Sequence, residues 1–142
     1  MDVLVNLLFW IHLTALALGG AAAFAMPVVG RRIPAAGPEL RPSLFAIADG
    51  LSKLGRIAFG LLIVTGPLIV WLRYGGTAGF TGWFWAKMVF VVLLLIAVIA
   101  AGINGKRAEA GDATALQRAP LFGMSAAILF LLVILCAVFA FN

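Results

Sequence analysis

The sequence predicts an all-α integral membrane protein, one domain of four transmembrane helices in an up-down bundle. Three observations predict it. Hydrophobic residues fill 65% of the 142 positions and charged ones 11%, a balance suited to a chain whose main solvent is hydrocarbon. The apolar residues fall into four runs, each long enough at ~1.5 Å per residue to cross a bilayer core of about 30 Å. Between the runs lie short segments that collect proline, glycine and most of the charge. With spans at about 3–29, 51–72, 83–103 and 120–141 subtracted, too little chain remains for a sizeable extramembrane domain.

The first run, Val3 to Val29, contains a single ionisable side chain, and it is the only histidine of the chain, His12. A polar group at that depth costs several kcal/mol unless it is paired, so it is expected to face a partner helix, a cavity or a cofactor. Ala23-Phe24-Ala25 before Met26 looks like a leader-cleavage site, but Asp2 stands where a leader carries Lys or Arg. The run is therefore expected to persist as a helix. Ala15, Gly19 and Ala23 form a stripe of small residues that lets another helix approach closely, and His12, Leu16, Gly19 and Ala23 share one face. The histidine should point into the bundle.

Three prolines and three arginines between Gly30 and Pro42 predict a polar loop with helix breakers at both ends. A short interfacial helix from Leu44 to Gly50, with Ser43 as its N-cap, is expected before the second span. That span carries Thr65-Gly66-Pro67 at its centre, and the missing proline N–H predicts a kink near Ile63. Arg73 to Gly82 is a glycine-rich turn. Trp83-Phe84-Trp85 then opens the third span, with Lys87 one turn inside this aromatic belt. Gly105 to Asp112 forms the last polar turn, and Pro120 to Phe141 the last span.

The net charge of +5 reflects topology rather than nucleic-acid binding, since the basic residues are spread over short loops without exposed aromatics among them. Arg31, Arg32, Arg41, Lys53, Arg56, Lys106, Arg107 and Arg118 gather at one end of the bundle, against Arg73 at the other. The positive-inside rule then puts both termini on the side away from the cytoplasm. The lone Cys136 lies in an apolar run and excludes an intramolecular disulfide.

In this arrangement His12, Thr65 and Lys87 reach similar depths, where the second helix is expected to be kinked. Each has a plain structural reading beside the functional one. His12 can be satisfied by an interhelical hydrogen bond, and Lys87 and Arg56 can snorkel to the interfaces. Met26, Met88 and Met124 suit packing as well as soft-metal ligation.

Trp10-Ile11-His12 followed by Gly19-Gly20 and Pro27, then Arg56 with Thr65-Gly66-Pro67, then Gly82-Trp83-Phe84-Trp85-Ala86-Lys87, resemble the HemJ-type membrane protoporphyrinogen IX oxidases. CopD-like copper-resistance domains share a similar first helix. The resemblance spans nearly the full length, and the chain differs from the family pattern at Ala25-Met26-Pro27-Val28-Val29 and at Gly123-Met124-Ser125-Ala126, as a diverged member would. It implies a bacterial inner-membrane oxidoreductase associated with haem b, acting on a tetrapyrrole with quinone as electron acceptor. It also implies His12 as metal ligand, His12, Arg56 and Thr65 as cofactor-binding residues, and Lys87 as the catalytic lysine facing a propionate. Two other expectations stand beside it: a copper-handling CopD-like protein, and a cofactor-free accessory subunit of a larger membrane complex. Assembly as a homo-oligomer or within such a complex is expected as well.

Overall fold

The computed structural model describes residues 2–141, and four long helices account for nearly all of them. They are α1 (Asp2–Ala35), α2 (Arg41–Tyr74), α3 (Gly82–Glu109) and α4 (Ala113–Ala140), joined by short turns so that neighbours in sequence run antiparallel. All four are long and apolar enough to cross a membrane. Large apolar side chains such as Leu13, Val64, Ile96 and Leu131 cover the outside, as expected where lipid replaces water.

The helices are longer than the spans read from the sequence, and the difference lies mainly at the arginine-rich end. α1 continues through Gly30-Arg31-Arg32-Ile33-Pro34, where a loop was expected, because tertiary contacts hold it there. Ile33 is buried, and Gly30 lies against the backbone of Ala119 and Pro120 on α4. Arg41 folds back to close the turn, its Nε donating to Ala36 O at 3.1 Å and its Nη2 to Pro34 O at 3.3 Å. These are carbonyls that the end of a helix leaves without partners.

The separate interfacial helix is also corrected. Residues 44–50 belong to one continuous α2 that begins at Arg41, and the N-cap position is Leu40 with no side-chain cap, so Ser43 caps nothing. Pro42 favours the start because the first turn needs no N–H from it. α2 passes unbroken through Pro67 and ends at Gly75, whose φ of 68° lets it close the helix by bonding back to Trp71 O. α3 likewise runs past Ile103 to Glu109, because Asn104 is buried and donates to Ala115 O at 2.8 Å. α4 starts at Ala113 instead of Pro120, capped by the Asp112 carboxylate, which accepts from Thr114 N and Ala115 N.

α1 is the central plank of the bundle. It packs on α2 along one side and on α4 along the other, and α4 in turn carries α3. Small residues allow both approaches: Gly19 faces Ala58, Gly55 faces Ala22, and Gly123 of α4 meets the backbone of Pro27. The core proper is Leu94, Ala126, Phe130 and Val133, with Phe24 edge-on to Phe130 at 6.2 Å between ring centroids. α2 and α3 do not close against each other in this way. An apolar cleft remains between them, floored by α1 and α4.

Candidate functional site

His12 meets α2 at its one buried threonine. Its Nδ1 lies 2.7 Å from the Thr65 hydroxyl, and that hydroxyl donates to Leu61 O, one turn back on its own helix, at 2.6 Å. Back-bonding of this kind is the usual recourse of a threonine inside a helix. A hydroxyl has one proton to give, so toward His12 it accepts. Nδ1 therefore carries the hydrogen, and in the neutral ring Nε2 keeps its lone pair.

Two features let the ring sit so close to α2. Ala15, one turn along α1, is completely buried, which brings the two backbones together. Gly66 leaves room beside the imidazole, since a Cβ there would lie 3.6 Å from His12 Cε1. Thr65 itself is 4% exposed, so the pair is shielded on the α2 side.

Lys87 approaches from α3. Its Nζ stands 5.2 Å from the centroid of the Phe141 ring, in cation–π range, and close enough to His12 for the two groups to interact electrostatically. It has no carboxylate partner among the described residues. Phe141 belongs to a cluster with Tyr74, Phe80 and Phe84 that ties the α2–α3 turn to the end of α4. On the neighbouring seam Arg73 lies 5.1 Å from the Phe9 ring centroid, above the His12 level.

The structure thus brings His12 and Thr65 into contact and sets Lys87 nearby. Arg56 is not part of this group. It is exposed on α2, about 13 Å along the axis from Thr65 at ~1.5 Å per residue. Of the methionines named above, Met26 is about 21 Å further along α1 by the same rise, and Met88 and Met124 are each 37% exposed. Among the described residues no group of three His, Cys, Asp or Glu side chains could hold a metal ion.

Sequence reasoning placed His12 and Thr65 at one depth but did not identify Leu61 O as the group that orients the hydroxyl. The signal was present, since a mid-helix threonine can be expected to bond four residues back. The Phe141 ring under Lys87 left no such trace, because it depends on how the end of α4 meets α3. No protein-family model, curated protein or solved structure matches the chain.

Proposed function

We propose that the chain is a haem-b-binding oxidoreductase of the bacterial inner membrane that acts on a tetrapyrrole, in the manner of the HemJ-type oxidases it resembles, with quinone as electron acceptor. The observation that carries this reading is the direction of the His12 hydrogen bond. With Nδ1–H committed to Thr65, the nitrogen left over is Nε2, which has the lone pair that an iron ligand needs.

The donor chemistry fits a haem: one oriented imidazole, apolar surroundings, and an ammonium with no carboxylate partner among the described residues, suited to face a propionate. Space bears on which part of the bundle could take it. The half-open cleft between α2 and α3 offers about 80 Å³, far too little for a macrocycle. A ring would instead have to sit against His12 and Lys87, outside that cleft. Bound there, haem would supply one-electron chemistry between tetrapyrrole and quinone. His12 holds and orients, Thr65 fixes the tautomer, and Lys87 provides the positive charge.

His12, the one histidine of the chain, would hold the iron either within one protomer or shared with a second chain. The single-protomer arrangement is favoured because the small-residue stripe of α1 is already occupied by α2 and α4 of the same bundle. In the proposed topology the arginine-rich end is cytoplasmic, and both termini are on the other side.

The test is the absorbance spectrum and haem content of gently solubilised protein, repeated with His12→Ala. A Soret band at one haem per chain, lost in the variant, is the expected result. One low-spin haem per two chains would favour sharing. Unchanged haem in His12→Ala would reject the ligand assignment, and a colourless protein that co-purifies with a partner would make it an accessory subunit.

A further inference from the structure

At the end of the bundle away from the arginines, four aromatic rings meet where the chain turns from α2 to α3. Tyr74 is the last residue of α2, Phe80 lies in the turn, Phe84 is buried on α3, and Phe141 follows the last residue of α4. Phe80 is the hub. Its ring centroid stands 4.4 Å from that of Phe84 in a stacked pair, and edge-on at 5.5 Å from Tyr74 and 5.7 Å from Phe141. Tyr74 and Phe141 also meet directly, at 5.7 Å. Pairs of this kind attract beyond the burial of their area.

Little else holds α2 to the far side of the bundle. α1 packs on α2 and α3 on α4, and the two hairpins join along the α1–α4 seam, while α2 and α3 flank a cleft instead of packing. Among the described residues no side-chain hydrogen bond or ion pair links α2 to α3 or α4. Lipid is as apolar as the helix faces, so no hydrophobic force draws the two together. The turn itself imposes little. Gly75 and Gly76 have φ of 68° and 120°, and both have open space where a Cβ would stand, as does Gly79. Backbone of this kind absorbs the dihedral changes of a hinge.

We infer that Phe80 is the pin of a clasp that holds the turn end of α2 to α3 and α4, and that withdrawing it lets the two hairpins part and uncovers Lys87. The lysine lies just inside the clasp, half-buried, with Nζ 5.2 Å from the Phe141 centroid. When Phe80 leaves, Phe141 loses one of the rings that hold it over the ammonium. Closed, the clasp denies Lys87 to solutes arriving from the turn end; open, it admits them. The inference stands whether or not haem is bound.

The experiment places spin labels at Leu68→Cys on α2 and Val89→Cys on α3, both exposed on the outside, in the full chain carrying Cys136→Ala in lipid nanodiscs. Pulsed electron resonance should give one dominant distance. Phe80→Ala should add a longer one and raise the ratio of long to short by about 10- to 100-fold, from the loss of three ring pairs, while Phe80→Tyr should restore the short distance. Tyr74→Leu loosens the clasp from the α2 side and should act in the same direction; it serves if circular dichroism shows that Phe80→Ala has lost helicity. Phe139→Ala removes the Trp83–Phe139 stack, at 5.0 Å, within the α3–α4 hairpin and should leave the distance unchanged. In the unlabelled proteins a water-soluble acylating reagent, read by mass spectrometry, should modify Lys87 faster in Phe80→Ala by the same factor, because modification tracks the open fraction. Lys53 and Lys106, exposed at the other end, should keep their wild-type rates. An unchanged short distance in both Phe80→Ala and Tyr74→Leu would overturn the clasp. So would a Phe139→Ala variant that opens as far as Phe80→Ala, since any lost ring at this end would then suffice. Parting without faster modification of Lys87 would overturn the link to the lysine.

Discussion

Gly123 of α4 lies directly against Pro27 of α1: a Cβ at position 123 would stand 3.1 Å from Pro27 N and 3.2 Å from its Cα. The obstructing atoms are backbone, so no side-chain rotation can relieve the contact.

Gly123→Ala should therefore push α1 and α4 apart and destabilise the bundle by about 1–3 kcal/mol, the usual cost of overpacking. Gly60→Ala is the matched control, because nothing lies within 4 Å of a Cβ there. That change should be neutral or stabilise by up to about 1 kcal/mol through helix propensity. Unfolding in mixed micelles, followed by tryptophan fluorescence, compares the two. Equal stability would mean that α1 and α4 do not approach this closely.

Thr65→Val keeps the shape and removes the hydroxyl that accepts from His12 Nδ1. The stranded N–H should cost about 1–3 kcal/mol of stability, and Thr65→Ser should restore most of it. In haem-loaded protein the valine variant should also broaden and shift the Soret band, because the ring loses its orientation. An unshifted band with normal stability would remove Thr65 from the site.

Under the proposed haem assignment, Lys87→Met should lower haem content while the helices stay intact, because it removes the cation that would face the propionate. Phe141→Leu separates this from packing: it deletes the ring under Nζ and leaves the ammonium, so it should cost about 0.5–1 kcal/mol of stability and little haem. Full haem retention by Lys87→Met would favour a lysine that only snorkels to the interface.

Topology is read by cysteine labelling on a Cys136→Ala background. Cys136 is buried, so its replacement removes a thiol with little surface exposure. Gly79→Cys in the α2–α3 turn should react with an impermeant reagent added outside the cell, and Gly37→Cys in the α1–α2 turn should not; both positions are exposed. Labelling at Asn142 should follow Gly79, although that residue lies outside the described residues. The reverse pattern would invert the bundle.

The four helices were legible because lipid exposure writes itself into composition: long runs without charge leave little alternative. Their ends at the arginine-rich face were not. Gly30, Pro34 and Pro42 read locally as breakers, yet Ile33 is buried against the bundle and Arg41 bonds to the carbonyls that Pro34 and Ala36 would otherwise leave open. Both effects come from residues distant along the helix axis or across the turn, which a local pattern cannot register. Helical periodicity pointed His12 inward, and counting residues put it level with Thr65. The proton order along His12, Thr65 and Leu61 required distances. Arg56 shows the opposite case, since a motif grouped it with Thr65 while the helix rise carries it about 13 Å away along α2.

The unclosed flank between α2 and α3 also determines how any ligand of this protein must be measured. A solute that enters sideways between two helices arrives from the bilayer and never has to cross bulk water. The concentration that governs occupancy is then its mole fraction among the lipids, so diluting the sample with buffer at a fixed solute-to-lipid ratio should leave saturation unchanged. Adding empty vesicles should lower it.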